Sequence, residues 1–185
     1  WLHLHHEDFT GQFGKFWAVY RNAPWYQEDV TISENNAKKL GFSKVSQLKL
    51  AVAEKIREFT AGGGYLFAMC SAPDSYDVAL AAETIDICDV MFDGDGADPQ
   101  ANDHLNYQNC FAFTNFSIVA NPYEYEISNI DVTTTRKVTM TNDFFTLFDF
   151  SAKWDPVPTM LTQDHEQVIK GFMGQTTAFN KNFVK

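Results

Sequence analysis

Cys70 and the adjacent Ser71 are the residues best placed for covalent chemistry, because they directly follow the continuous apolar run Tyr65–Met69. A nucleophile at a sharp strand-to-helix turn needs small residues two positions before and two positions after it. Ala68 and Ala72 meet that need. The N terminus of the following helix would stabilise a thiolate and offer N–H groups to an oxyanion. The pattern predicts a cysteine nucleophile, with a structural cysteine at a tight turn as the alternative.

His165 and Glu166 are the residues that the sequence offers as partners for the thiol. A histidine can accept the proton of a nucleophile, and a carboxylate can orient that histidine. Asp164 is an alternative to Glu166 in the orienting role. The competing interpretation is a polar loop that merely follows a strand.

His5, His6 and Glu7 form a second polar cluster, near the start of the chain. Imidazole and carboxylate groups suit zinc, iron or manganese. Adjacent residues of a strand point to opposite faces, however, so these side chains do not easily share one ion. We therefore predict that these three residues and Ser71 contact a ligand, and we predict no metal site and no cofactor. Hydrogen bonding that holds the loop is the competing reading.

The segment Asp93–His104 (DGDGADPQANDH) carries oxygen donors of the kind found in calcium loops. It departs from the EF-hand pattern at three positions, the first of which is Ala97 at the fifth position. Asp98 stands where a glycine is needed, and His104 stands where a bidentate glutamate is needed. A solvated acidic turn is the prediction for this segment.

The composition limits the class of protein. The chain has 185 residues, is 45% hydrophobic, and carries a formal net charge of −10. That length suits one domain with a full core, and the charge argues against nucleic acid or an anionic membrane as a partner. No apolar run is long enough to span a bilayer. The three cysteines, Cys70, Cys88 and Cys110, lack the spacing of a zinc site, and leave open one disulfide or three buried thiols.

Two segments predict neighbouring parallel strands. Trp1–His6 alternates apolar and polar residues, and Tyr65–Met69 has the continuous apolar character of a central strand buried on both faces. Ligands of open α/β sheets bind beyond the carboxyl ends of the strands. The polar clusters at 5–8, 70–71 and 164–166 would then converge.

Helices are predicted between and after these strands. Val45–Phe59 repeats apolar residues at three- and four-residue spacing, with Ser43 as its N-cap and the glycines at 62–64 as its stop. Asp74–Glu83 is rich in alanine and leucine, and Asp74 suits its N-terminal cap. The stretch after Pro24 is predicted to be a loop or a short helix.

The second half of the chain is predicted to be rich in strands. Aromatic and β-branched residues favour strands in three segments of this half, a further segment there is strand-like, and one more short strand is predicted just before this half begins. These segments are Ile85–Val90, Phe111–Val119, Tyr123–Val132, Phe144–Phe150 and residues 168–173. The chain as a whole is therefore predicted to be α/β with a β-rich second half.

Several blocks of the sequence resemble known proteins. GGGYLFAMCSA resembles the nucleophile region of the class I glutamine amidotransferase-like superfamily, and PTMLTQDHEQVIKGFMGQTT resembles a segment of its ThuA-like members. HLHHEDFTGQFGKF, FAMCSAPDSYDVALAAE and IKGFMGQTTAF look most like Bacteroidota proteins labelled "asparagine synthetase B". The chain has neither the N-terminal cysteine nor the phosphate-binding loop of true asparagine synthetases.

The resemblance implies a flavodoxin-like three-layer sandwich with a mainly parallel sheet, formed by residues 1–185 as a single domain. It implies that Cys70 is the nucleophile and His165 its histidine. Glu166 is adjacent to His165 instead of two residues on, and alanines replace the glycines around Cys70. Because the sequence starts abruptly at Trp1, we expect an excerpt of a longer chain.

Two functions stay open at this point. One is a cysteine-dependent hydrolase acting on a small amide, ester or carbohydrate-derived substrate. The other is an inactive module that binds a carbohydrate or a protein. The relatives that the blocks resemble look exported, which implies a periplasmic or surface location, with a cytoplasmic one also open. The oligomeric state does not follow from the sequence.

Overall fold

The computed structural model describes residues 2–5, 8–13, 16–132, 144–146, 168–170 and 179–185. The chain divides into two compact units, one of Trp1–Asp131 with Phe179–Lys185 and the other of Val132–Ala178. The elements of the first unit are β1 (Leu2–His5), α1 (Trp17–Tyr20), α2 (Pro24–Lys39), α3 (Val45–Ala61), β2 (Leu66–Met69), α4 (Ala72–Ala81), α5 (Val90–Asp93), α6 (Ala101–His104) and two 3₁₀ helices, Tyr107–Asn109 and Lys181–Phe183. The second unit contains β3 (Phe144–Thr146) and β4 (Val168–Lys170).

Strands β1 and β2 pair in parallel, with Leu2 opposite Leu66 and His5 opposite Met69. Parallel neighbours need a long crossover connection, which α1, α2 and α3 supply here. The predicted strands at both positions are confirmed. One parallel pair does not distinguish a flavodoxin-like sandwich from other α/β arrangements, so that fold stays a prediction.

The β1–β2 pair packs on one face against the core. Leu2, Leu4 and Leu66 contact a buried cluster formed by Phe9, Ala53, Ile56, Tyr76, Ala79 and Leu80. On the opposite face Tyr65 and Phe67 are 73% and 51% exposed. The expectation that this strand is buried on both faces is therefore wrong, because α3 and α4 pack against one face only.

Helix α3 confirms the prediction for Val45–Phe59 and extends it by two residues. Ser43 is not its N-cap: Lys44 holds that position, and the Ser43 hydroxyl donates to Gln47 Oε1 at 2.9 Å instead. Helix α2 is longer than the predicted loop or short helix. Only Tyr26 and Ala37 are buried on it, so its sequence shows little of the periodicity that reveals a helix.

Helix α4 lies in the centre of the first unit. Nine of its ten residues are buried. One side contacts the cluster beneath β1 and β2, and the other contacts a second cluster that includes Val78, Phe113, Phe116 and Ile130. The predicted helix is confirmed, but Asp74 lies in its first turn and Ser71 holds the N-cap position.

Three predicted strands are wrong in whole or in part. Ile85–Val90 contains no strand, and α5 begins at Val90. The segments predicted at 111–119 and 123–132 form isolated bridges, which pair Phe113 with Val184, Ile118 with Ser128, and Asp131 with Phe179. A physical reason is visible at the start of the first of these segments, where the backbone N–H groups of residues 111–113 donate to the Asp77 carboxylate instead of to a neighbouring strand.

The second unit contains an antiparallel pair, in which Phe144 lies opposite Lys170 and Thr146 opposite Val168. It confirms part of the predicted strands at 144–150 and 168–173. Within the described residues, no helix combines the length and the apolar character that crossing a bilayer requires.

Candidate functional site

Cys70 lies at the turn between β2 and α4. Its backbone has φ = +57°, and only Phe13 and Asn115 share positive φ among the described non-glycine residues. The left-handed region costs a residue with a Cβ roughly 1–2 kcal/mol. The predicted position of Cys70 at the carboxyl end of a strand is confirmed, and the strand-to-helix turn is sharp there.

The local sequence explains this turn. The glycines after α3 end that helix, with Gly63 at φ = +98°, and β2 follows directly. Ala72 is 0% exposed, so the turn leaves no room for a larger side chain there. Pro73 suits the first turn of a helix, where its missing N–H is not needed. Cys70 itself is half-buried, and it is the least buried of the three cysteines.

Ser71, predicted to contact a ligand, holds the N-cap position of α4. Its side chain makes no capping hydrogen bond. Its carbonyl accepts the first helical hydrogen bond, from Ser75 N at 3.1 Å. The N–H groups of Ser71 and Ala72 therefore precede the helical hydrogen-bond ladder, and groups in such positions commonly bind anions.

Asp74 lies in the first turn of α4 and is 2% exposed. The nearby backbone N–H groups of Ser75 and of Asp74 itself partly offset the burial of its charge, but Oδ1 has no hydrogen-bond partner within the described chain. Burial, reinforced by the negative charge of Asp131, raises the pKa of Asp74 to about 7. The sequence indicated a helix cap here, and nothing in the spacing indicated a buried carboxyl group that titrates near neutrality.

Tyr125 lies near both Cys70 and Asp74. Its pKa is raised mainly by desolvation and then by the charges of Cys70, Asp131, Glu126 and Asp74, in that order. The phenol is therefore within electrostatic reach of both the thiol and the buried carboxyl group. The carboxyl groups of Asp74, Glu126 and Asp131 therefore lie near the same phenol as Cys70, which is itself half-buried.

Aromatic rings continue outward from Tyr125. The Phe16 ring lies 5.7 Å from Tyr125 and 6.0 Å from Tyr20, measured between ring centroids. Tyr20 lies 5.1 Å from Trp25. We call the set Phe16, Trp17, Tyr20, Trp25, Tyr123 and Tyr125 the aromatic surface; all of these rings except the half-buried Trp17 are more than a third exposed.

The other predicted site residues fall largely outside the described residues. His165, Glu166, His6 and Glu7 all do, so the structure neither joins them to Cys70 nor separates them from it. The backbone of His5 lies in β1, paired with Met69 at the same strand end that leads to Cys70. The predicted roles of these five residues stay predictions.

Cys88 and Cys110 have structural surroundings. Both are buried free thiols that donate to backbone carbonyl groups, Cys88 to Thr10 at 3.2 Å and Cys110 to Asp77 at 3.3 Å. Burial raises the pKa of the Cys88 thiol well above its ordinary value and that of Cys110 to about 12. The disulfide that the sequence left open is not formed.

Three aspartates, one before α5, one at its end and one after it, surround Lys44. The Lys44 ammonium lies 2.8 Å from Asp86 and 3.3 Å from Asp93, and it also pairs with Asp95. Ligand atoms of Asp86, Cys88 and Asp93 lie within 4.8 Å of one another, a spacing that suits a metal ion. The lysine already provides the positive charge, however, and the Cys88 thiol is bound to a carbonyl. We interpret the cluster as a structural ion network.

Two cavities in the described part of the chain are lined by other residues. One has a volume of about 270 Å³ and is lined in part by Lys44, Glu83 and Asp86. The other, of about 320 Å³, is lined in part by Asn36, Leu40 and Val52. Neither includes Cys70; the first brings Ser46 near Lys44, Glu83 and Asp86, but Lys44 is already paired with Asp86. The chemistry of the side chains, and not cavity size, favours the Cys70 turn.

No protein-family model matches the chain, and it has no significant similarity to a curated protein or to a solved structure. The resemblance to the class I glutamine amidotransferase-like superfamily is therefore a prediction that these comparisons leave untested.

Proposed function

We propose that this chain is a cysteine-dependent hydrolase of the amidotransferase-like type, in which Cys70 attacks the carbonyl carbon of a small amide or ester. The backbone of Cys70 supports the proposal most directly: φ = +57° at a strand-to-helix turn is a strained conformation for a residue with a side chain. Such strain is commonly found at functional sites, where it presents a side chain in a fixed direction.

The proposed reaction proceeds through a thioester. The Cys70 thiolate forms a bond to the substrate carbonyl carbon, and the N–H groups of Ser71 and Ala72 donate to the resulting oxyanion. The C–N or C–O bond then breaks, and the amine or alcohol leaves with a proton. Water adds to the thioester, releases the carboxylic acid and restores the thiol. In the proposal His165, oriented by Glu166, is one candidate to carry these protons.

The proposal includes a flavodoxin-like sandwich, an extracytoplasmic location and a substrate that is small or derived from a carbohydrate. It is compatible with the acidic surroundings of Cys70, which favour a neutral or cationic substrate over an anionic one. The parallel β1–β2 pair supports the α/β class, since the nucleophile follows a strand of that pair.

Alkylation of the folded protein tests the proposal. We expect iodoacetamide to modify Cys70 selectively, as located by peptide mass mapping, whereas Cys88 and Cys110 react only after denaturation. We also expect Cys70→Ser to remove hydrolysis of p-nitrophenyl acetate, with Cys110→Ser as the matched control that retains it. A folded protein whose Cys70 resists iodoacetamide, or a Cys70→Ser variant with full turnover, would contradict the proposal.

The aromatic surface favours a second candidate function, a carbohydrate-binding module in which Cys70 has no catalytic role. Exposed aromatic rings present apolar faces, and their polar tips bind water or hydroxyl groups. Under this hypothesis, Trp25→Ala and Tyr123→Ala weaken binding to an oligosaccharide panel, and Cys70→Ala behaves as wild type. Ester turnover that depends on Cys70 would decide for the hydrolase.

A further inference from the structure

We propose that Asp74 accepts the proton of the Cys70 thiol, so that this chain carries its own general base in the first turn of α4. The inference rests on the proposed function, since it needs Cys70 as the nucleophile. It goes beyond that function because it assigns proton transfer to a carboxyl group four residues after the cysteine.

The position of Asp74 is the first part of the argument. Cys70 lies in the turn between β2 and α4, and Asp74 lies four residues later, in the first turn of α4. Tyr125 lies within electrostatic reach of both groups. The thiol and the carboxyl group thus share one neighbour from a distant part of the chain, and both lie at the turn from which α4 begins.

The free oxygen of Asp74 is the second part. Buried side-chain oxygens are nearly always hydrogen-bonded, and each exception calls for an explanation. Asp74 Oδ1 is such an exception within the described chain, on a residue that is 2% exposed. Asp77, one turn later on the same helix, binds three backbone N–H groups instead. One buried carboxyl group on α4 is therefore fully bonded, and the other keeps an oxygen available.

The charged surroundings are the third part. The negative charges of Asp131 and Asp77 raise the pKa of Asp74. Tyr125 lies within electrostatic reach of Asp74, Cys70 and Glu126. Burial and these negative charges hold the pKa of Asp74 at about 7, where a carboxylate can take a proton and later return it.

The proton balance closes without another reactant. The carboxylate of Asp74 takes the thiol proton, which leaves the Cys70 thiolate and a neutral carboxylic acid. That acid gives the proton to the leaving amine or alcohol. Asp74 then takes a proton from the water that hydrolyses the thioester and passes it to the departing thiolate, which restores both the thiol and the carboxylate.

The test is the pH profile of Cys70 alkylation by iodoacetamide between pH 5 and 9, with each variant checked for folding by circular dichroism. In the wild type we expect the rate to rise with an inflection near pH 7. Asp74→Asn is expected to remove that inflection and to slow alkylation at pH 7.5 by roughly tenfold or more. Asp74→Glu is expected to retain an inflection. Asp131→Asn is expected to move the inflection to lower pH, since it removes a negative charge that raises the pKa of Asp74.

The outcomes separate this inference from the proposed function. If Cys70 is not alkylated in any folded variant, the proposed function itself is overturned. If Cys70 is alkylated but Asp74→Asn keeps the wild-type profile, Asp74 is not the proton acceptor, and the nucleophile proposal survives with His165 as the base. If Asp74→Asn does not fold, the Asp131→Asn profile decides: an unmoved inflection overturns the role of Asp74.

Discussion

The Asp77 carboxylate connects α4 to a distant segment of the chain, and its removal should cost much of the stability of the first unit. Asp77 is 1% exposed. Oδ1 accepts from the backbone N–H of Phe111, and Oδ2 accepts from those of Ala112 and Phe113, each at 2.8 Å. These contacts span 34 to 36 residues of sequence. We expect Asp77→Ala and Asp77→Asn to destabilise the protein by different amounts.

The expected magnitudes follow from the three N–H groups. A hydrogen bond to a charged group contributes roughly 1.5–3 kcal/mol to stability. Leaving a buried donor without a partner costs an amount in the upper part of that range. Phe111 is exposed and Ala112 half-buried, so water can replace part of their loss, whereas Phe113 is 3% exposed. We therefore expect Asp77→Ala to lower the free energy of unfolding by about 4 kcal/mol.

The asparagine variant should cost less. Its carbonyl oxygen can occupy the Oδ2 position and keep both hydrogen bonds there. Its NH₂ group then faces the Phe111 N–H and cannot accept from it, but water can, because Phe111 is exposed. We expect a loss of about 2 kcal/mol, from one bond and the charge. Both values come from urea unfolding followed by circular dichroism, with Asp29→Ala on the exposed face of α2 as the control, expected within about 0.5 kcal/mol of wild type. If Asp77→Ala changes stability no more than this control does, the reasoning is refuted.

Two further substitutions test the ionisable groups. Burial raises the pKa of Asp74 from 3.8 to about 7, so this group favours the folded state below pH 4 and that contribution is lost as the pH rises through 7. Asp74→Asn should therefore be more stable than wild type at pH 8, by at most roughly 4 kcal/mol, and the difference should shrink as the pH falls through 7 and nearly vanish below pH 4; equal urea midpoints at pH 8 would contradict this. Lys44→Met should lower the free energy of unfolding by about 2 kcal/mol, because Asp93, with a side chain 2% exposed, then lies beside Asp86 and Asp95 without the ammonium that offsets their charges. Adding Asp93→Asn to Lys44→Met should restore part of that loss, and a double-mutant cycle without coupling would contradict the ion network.

The Cys70 turn could be predicted from the sequence because its causes are local. The apolar run before it, the small residues at 68 and 72 and the Ala/Leu-rich segment after it lie within about twenty residues. Helix α3 could be predicted for the same reason, since its periodicity lies within the segment itself. The backbone conformation of Cys70 agrees with that local reading.

The features that were missed depend on distant partners. Residues 111–119 have a composition typical of a strand, yet the backbone N–H groups of residues 111–113 donate to a side chain 34 to 36 residues earlier. The sequence predicts no role for Lys44, because the aspartates around it lie 42 to 51 residues later. The burial of Asp74, which gives it its unusual pKa, results from packing on α4 that the spacing of acidic residues does not reveal.

The left-handed backbone at Cys70 also bears on which residue evolution or a protein engineer would leave there. A glycine takes this conformation without a Cβ and would relieve roughly 1 kcal/mol of strain. Selection for thermal stability alone would therefore replace this cysteine with glycine. A lineage that keeps a thiol at position 70 accepts a less stable fold in return for a sulfur atom at one fixed point.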